Sequence, residues 1–161
     1  MDRPSRKTIR LPAGAYREAG SAWHVTLGTI DREARVFADR ALAGAVVAAI
    51  EERCAARDAG LDLCCLMPDH CHMVIQIKTT GLIDVMGDVK SRTTRIWWTH
   101  GGAGPLWQRS FHDHGLRTAR DYEETVRYVL ENPVRAGLVE DWADYPFIGG
   151  ALIGPPDGET S

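Results

Sequence analysis

The sequence LMPDHCHMVIQ at residues 66–76 is the most informative stretch of the chain. Apolar runs flank its Pro-Asp pair, a combination typical of two strands joined by a tight turn. Because successive side chains of a strand alternate between its faces, His70 and His72 point to the same side. Two neighbouring imidazoles form half of a divalent-metal site, but they are also consistent with ordinary hydrogen-bonded histidines. The remaining ligands of a metal site must therefore come from elsewhere in the chain.

The composition is that of an ordinary globular protein, with 161 residues, 44% hydrophobic and 25% charged. This length predicts a single domain over residues 1–150, followed by a disordered tail at residues 151–161. No apolar run reaches the length of a membrane span, and the charged N-terminus is unlike a signal peptide, so we expect a cytoplasmic protein. The four cysteines form no C-x-x-C pair, and we expect them to be buried free thiols.

The net charge of −3 argues against a uniformly basic nucleic-acid binder, but the charges are unevenly distributed. Residues 1–20 form a basic, proline-containing arm, residues 81–120 are also rich in basic groups, and the end of the chain is acidic. This distribution is compatible with a local anion-binding face. The basic candidates are Arg3, Arg6, Lys7 and Arg10 in the arm, and Lys90, Arg92, Arg95, Arg109 and Arg117 in the second segment.

Hydrophobic periodicity predicts the element order β-α-β-β-α-β-α. The natural arrangement is an α+β fold, a ferredoxin-like βαββαβ-type antiparallel sheet with helices on one face and a further C-terminal helix. The first and third strands would then be central and adjacent. Asp39 is expected to cap the first helix, Gly60 to stop it, and Asn132-Pro133 to end the last one. The predicted strands are residues 22–30, 61–67, 71–77 and 106–116, and the helices are residues 39–57, 81–99 and 119–131.

Tyr128 and Asn132 lie four residues apart on the last predicted helix and therefore share a face. If that face covers His70 and His72, two imidazoles, an amide and a phenol converge. Such a ligand set leaves coordination positions for phosphate oxygens and suits Mg²⁺ or Mn²⁺, with the phenol as the nucleophile. On spacing alone, Tyr128 is also consistent with a core aromatic residue.

A second His-x-His pair, His112 and His114, lies on the fourth predicted strand, with Arg109 and Arg117 nearby. On spacing alone it is as good a ligand pair as His70 and His72. Residue patterns therefore do not decide between the two pairs.

Several segments, taken in order, resemble one family. Residues 66–76 are similar to the HUH motif of single-tyrosine transposases, and RYVLENPVRAGLV at residues 127–139 closely resembles the Tyr-x-x-x-Asn-Pro-Val-x-x-Gly-Leu block of REP-associated tyrosine transposases, which are IS200-like. The segment LWQRSFHDHGLR at residues 106–117 and the basic arm also match. The resemblance extends over most of residues 3–150.

The resemblance implies specific roles for the candidate residues. His70, His72 and Asn132 would bind the divalent metal, and Tyr128 would be the catalytic nucleophile on the last helix, forming a 5′-phosphotyrosine and releasing a 3′-hydroxyl. His112 and His114 would then lie outside the metal site.

The implied function is a metal-dependent single-stranded DNA endonuclease and strand transferase that cuts at hairpin-containing repeats, as a monomer or homodimer associated with the nucleoid. The basic side chains would attract phosphate, and Trp97, Trp98 and Trp107 are candidates for base stacking, with core packing expected for at least two of them. The alternative is a non-catalytic hairpin-binding regulator derived from such an enzyme. Because Tyr128 and the three ligands are all present, the enzyme is favoured.

Overall fold

A five-stranded antiparallel sheet forms the centre of the protein in a computed structural model, which describes residues 20–153. The strands follow the order β4-β1-β3-β2-β5, so the predicted α+β class and the adjacency of the first and third strands are confirmed. The short fifth strand was not predicted, because two residues carry no periodicity. The strands are β1 (Ala22–Gly28), β2 (Gly60–Met67), β3 (His70–Gln76), β4 (His112–Leu116) and β5 (Ile148–Gly149), and the helices are α1 (Arg40–Ala56), α2 (Leu82–Thr99) and α3 (Ala119–Arg135).

The two faces of the sheet pack against different helices. On one face, alternate residues of β1 and β3 such as Val25 and Met73 join the buried side chains of α1 and α2 in the larger core. On the other face, Val74 and Leu116 pack with Val129 of α3 in a smaller core. The helices α1 and α2 therefore share one face, as predicted, and α3 crosses the other.

The turn between β2 and β3 consists of Pro68 and Asp69, and Met67 pairs directly with His70 across it. The backbone carbonyl groups of both turn residues are hydrogen-bonded: Thr29 N–H donates to Asp69 and Phe37 N–H donates to Pro68. These bonds attach the turn to the segment that follows β1. These hydrogen bonds therefore hold the position at which β3 begins.

The helix α1 begins as the sequence predicts but does not end at Gly60. Asp39 caps it, with its Oδ1 accepting a hydrogen bond from Leu42 N–H at 3.2 Å. The helix ends at Ala56, because Asp58 takes a left-handed conformation with φ 50°, which aspartate tolerates better than most residues. Gly60 instead opens β2.

The helix α3 does not end at Asn132-Pro133 as predicted, but continues to Arg135 with Pro133 inside it. Within the last turn, a proline removes only one backbone hydrogen bond, the bond to the carbonyl of Val129. The turn is closed instead by Ala136 N–H donating to Asn132 and Leu138 N–H donating to Pro133. The ring of Pro133 is buried in this position.

All four cysteines are buried free thiols, which confirms that prediction. No helix in the described part of the chain is long and apolar enough to cross a bilayer. Residues 1–19, with Arg3, Arg6, Lys7 and Arg10 of the basic arm, lie outside the described residues, as do residues 154–161 of the predicted tail.

Candidate metal and nucleophile site

His70 and His72 open β3 and point to the face of the sheet that α3 covers. Their Nε2 atoms lie 3.2 Å apart, and their rings are nearly perpendicular, at 88°. Because metal–imidazole distances are about 2.0–2.1 Å, two nitrogen atoms at this separation can bind one ion between them. The spacing of these donors therefore fits a shared divalent cation.

Asn132 on α3 provides the third candidate donor. Its Nδ2 lies 3.4 Å from Nε2 of His70, and rotation of the amide places Oδ1 at the same position. Between residues 20 and 153 no group of three His, Cys, Asp or Glu side chains forms a metal site. The donor set present at this position is thus two imidazoles and one amide, which leaves room for oxygen atoms of a substrate.

Tyr128 lies one helical turn before Asn132, next to the histidines. Its ring centroid is 5.9 Å from that of His72, and the side chain is 51% exposed, so it is not a core aromatic residue. Arg135 fixes the position of the ring: its guanidinium lies 4.2 Å from the ring centroid, and Nη2 donates to the carbonyl of Tyr128 at 2.6 Å. A cation and an accessible phenol are therefore held together beside the candidate metal ligands.

The position of α3 over the sheet depends on contacts at its N-terminal end and in its middle. Thr118 caps it by accepting a hydrogen bond from Asp121 N–H, and the Tyr122 hydroxyl donates to Asp62 of β2 at 2.6 Å. Val129, fully buried, packs against the sheet in the middle. With the helix anchored in this way, the face that carries Tyr128 is directed to the start of β3.

His72 is also held from the neighbouring strand, a feature that the sequence pattern did not indicate. Its Nδ1 lies 3.0 Å from Nε2 of His24 and 3.1 Å from Oγ1 of Thr26, both on β1. Burial lowers the pKa of His72 to about 3, and nearby His70 adds to this effect. Burial and the proximity of His114 lower the pKa of His24 to about 4. Both rings are therefore neutral at physiological pH, the state in which imidazole binds metals.

His70 is oriented by the carboxylate that precedes it. Nδ1 of His70 donates to Oδ1 of Asp69 at 2.7 Å, and the other carboxylate oxygen forms an ion pair with Arg32 at 2.9 Å. Burial raises the pKa of Asp69, but hydrogen bonds from His70 and Arg32 more than offset it, and the pKa is lowered overall. An ionised Asp69 keeps the proton of His70 on Nδ1 and leaves Nε2 available as a ligand.

The second histidine pair lies on the same sheet face but on the edge strand. His112 pairs with Thr26 and His114 pairs with His24, so β1 separates both from β3. Asn132 contacts His70, which distinguishes the two pairs where spacing did not. His114 instead lines a cavity of about 490 Å³ beside Tyr128.

The candidate DNA-binding side chains within residues 20–153 lie on two parts of the chain. Three lie on α2, across the sheet from Tyr128, and two flank β4. All except Lys90, which is half-buried, are exposed. The residues are Lys90, Arg92 and Arg95 on α2, Arg109 before β4 and Arg117 after it.

The family model described as "Transposase IS200 like" matches residues 20–132, which include β1 to β4, both candidate histidines, Tyr128 and Asn132. The chain belongs to the IS200-like transposase family. This match confirms the family membership that the sequence motifs predict.

Two relatives of this IS200-like chain are described as REP-associated tyrosine transposases. The one from Escherichia coli strain K12 is 32% identical over 85 residues, covering 51% of this chain and 48% of the relative. A putative one from Haemophilus influenzae is 26% identical over 98 residues, covering 52% of this chain and 54% of the relative. The chain thus aligns with about half the length of these relatives.

Two solved structures share the fold. A REP-associated tyrosine transposase bound to a REP hairpin superposes with a TM-score of 0.69 at 20% identity, over 100% of this chain and 99% of the other. A putative transposase from Deinococcus radiodurans gives a TM-score of 0.50 at 16% identity, over 82% of this chain and 97% of the other. At these identities the likeness establishes the fold alone.

Proposed function

We propose that this IS200-like protein is a metal-dependent endonuclease and strand transferase for single-stranded DNA, which cuts at hairpin-containing repeats through a 5′-phosphotyrosine intermediate. The observation that carries the proposal is the convergence of Tyr128, Asn132, His70 and His72 from two elements far apart in sequence. A hairpin-binding regulator would need no accessible phenol beside three candidate ligands.

His70, His72 and Asn132 would hold Mg²⁺ or Mn²⁺, which polarises a phosphate and neutralises the negative charge that develops on it. Asp69 holds Nδ1 of His70, and His24 and Thr26 hold Nδ1 of His72, so both Nε2 atoms would be available to the ion. These contacts reduce the reorganisation needed when the ligands bind.

Tyr128 would attack the phosphorus atom of the scissile phosphodiester. A bond forms between the phenol oxygen and phosphorus, and the bond from phosphorus to the 3′-oxygen breaks. The phenol gives up its proton and the departing 3′-oxygen acquires one, so the products are a 5′-phosphotyrosine and a 3′-hydroxyl. Arg135, stacked on the ring, contributes positive charge where the phosphate approaches.

The proposed substrate, a DNA hairpin from a repetitive palindromic element, has support in the fold shared with a REP-associated tyrosine transposase bound to a REP hairpin. The exposed arginines flanking β4 would attract its phosphates without sequence preference. Either a monomer or a homodimer is compatible with this proposal.

A denaturing gel with labelled single-stranded hairpin DNA tests the proposed activity. Palindromic repeats near the gene are incubated with protein and Mg²⁺, Mn²⁺ or a chelator. We expect a cleaved strand and a protein–DNA adduct with metal, and neither with chelator. The His70→Ala variant should lose both products. Hairpin binding without any adduct, in both metals and across several repeats, would contradict the enzymatic proposal and favour a regulator.

A further inference from the structure

The three tryptophans around α2 occupy different environments, and only one of them presents its ring to solvent. Trp107 is buried at 4% exposure in the larger core, and Trp97 packs against the same core. The expectation that at least two of the three serve packing is thus confirmed. Trp98, at 50% exposure, lies in a groove between α2 and the loop before β4.

The ring of Trp98 is held in place although it is exposed. Its Nε1–H donates to the carbonyl of Gly104 at 2.8 Å, so the polar edge already has a partner within the protein. The opposite side of the groove is formed by Pro105 and Leu106, with a total volume of about 530 Å³, within the range of small-ligand sites. A fixed aromatic surface loses little side-chain entropy when a flat ring stacks on it.

The groove is positively charged. Lys90 and Arg95 line it, and within residues 20–153 no Asp or Glu side chain is among its lining residues. Lys90 Nζ donates to the carbonyls of Gln108 and Arg109, which joins α2 to the loop before β4. Arg95, exposed, is oriented along α2 by a hydrogen bond to Ser91. Cations beside an aromatic surface match a nucleobase joined to its phosphate.

The loop that Lys90 holds links the groove to the strand beside the candidate active site. Gln108 N–H donates to the carbonyl of Gly28, and Thr29 forms a bridge with Trp107. Gly28 in turn pairs with His70 on the adjacent strand β3. The loop that forms one wall of the groove is therefore attached to the same end of the sheet as the candidate metal ligands.

We propose that this groove binds an unpaired nucleotide of single-stranded DNA, with its base stacked on Trp98 and its phosphate beside Arg95. The proposal rests on the proposed function for the identity of the polymer. It adds a second contact, across the sheet from Tyr128, for the unpaired DNA next to a hairpin.

Fluorescence anisotropy with an unstructured, end-labelled oligonucleotide, without metal, measures this contact. The Trp98→Ala variant should bind it at least about fivefold more weakly than the wild type, and Trp98→Phe, which keeps an aromatic face but loses the hydrogen bond to Gly104, should have an affinity between the two. Trp142→Ala, which removes a partly exposed tryptophan near α3, is the matched control and should have no effect. The Arg95→Gln variant should lower the slope of log affinity against log salt by about one.

Two results would overturn the groove assignment: equal affinities of wild type and Trp98→Ala for the oligonucleotide, or an equal loss of affinity for a blunt duplex. If Trp98→Ala does not fold, Trp98→Phe provides the test. Because phenylalanine keeps an aromatic face, an affinity of Trp98→Phe for the oligonucleotide as low as that of Arg95→Gln would exclude stacking. The test is separate from that of the catalytic proposal. If the wild type forms no adduct but the Trp98 effect is present, the groove assignment stands and the catalytic proposal fails.

Discussion

Nε2 of His24 lies 3.0 Å from Nδ1 of His72, and this contact joins the two central strands of the sheet. With His24 as a hydrogen-bond acceptor, Nδ1 of His72 carries the proton, and Nε2 presents its lone pair towards His70. The contact therefore holds the ring orientation, and it is compatible with the tautomer that a metal requires. His24 is a positioning residue in this account, since it acts through His72.

Replacing His24 with Phe should weaken binding of Mn²⁺ by about tenfold, because His72 loses a partner that orients it. The His24→Gln variant, which keeps a hydrogen-bond acceptor, should recover part of that affinity. Metal affinity measured by calorimetry or by the Mn²⁺ resonance signal provides a readout independent of DNA cleavage. The control is His100→Gln, at the exposed end of α2. Identical Mn²⁺ affinities of His24→Phe and the wild type would contradict the positioning role.

Replacing Arg135 with Gln should slow adduct formation by about two- to fivefold, equivalent to the ~0.5–1 kcal/mol of an exposed cation–π contact. The substitution removes the guanidinium above the Tyr128 ring and the hydrogen bond to its carbonyl. Single-turnover rates at saturating DNA measure the effect. Arg127→Gln removes the same charge from the other side of α3. If both variants slow the reaction equally, the loss of one positive charge from α3, and not the loss of the contact with Tyr128, is responsible.

Asp88 joins the two helices on the opposite face of the sheet. Its Oδ2 accepts hydrogen bonds from Arg53 Nη2 and Arg57 Nε, each at 2.8 Å. The Asp88→Asn substitution should lower the free energy of unfolding by about 1 kcal/mol, because the arginines are partly exposed. Chemical denaturation at neutral pH measures it. Glu124→Gln, which breaks a more exposed ion pair with Arg120, should change stability much less.

The same ion pair gives a pH dependence with a definite sign. The hydrogen bond from Arg53, with a further contribution from Arg57, lowers the pKa of Asp88 below its usual value. The stabilisation is therefore fully present above the unfolded pKa of about 3.9 and is lost as the pH falls through the lower folded pKa. The stability difference between wild type and Asp88→Asn should be constant from pH 7 to about 5 and shrink below about pH 4. A difference that stays constant to pH 3 would contradict this.

The parts of the site that could be predicted from sequence are those that depend on local periodicity. Alternation along a strand places His70 and His72 on one face, and helical spacing places Tyr128 and Asn132 on another. Whether these faces meet depends on the path of α3, which is determined by tertiary contacts such as that of Tyr122 with Asp62. Spacing alone did not indicate the roles of these residues, and the family resemblance was needed to predict them.

Other features depend on strand register, which local patterns do not contain. The contact of His24 with His72 follows from the pairing of Thr26 with His72, and nothing in the sequence around His24 indicates that partner. The end of α3 was predicted wrongly. A residue preceding proline tends to leave the helical conformation, but burial of the Pro133 ring outweighs that tendency here. Tertiary contacts decide both features.

The most direct test of the central claim is identification of the protein residue that becomes joined to DNA. The adduct from the metal-containing reaction is digested with protease and nuclease, and the modified peptide is sequenced by mass spectrometry. The account predicts a 5′-linked nucleotide on Tyr128, and no adduct from the Tyr128→Phe variant although it still binds the hairpin. A nucleotide on any other residue, or an adduct formed by Tyr128→Phe, would contradict the assignment of Tyr128 as the nucleophile.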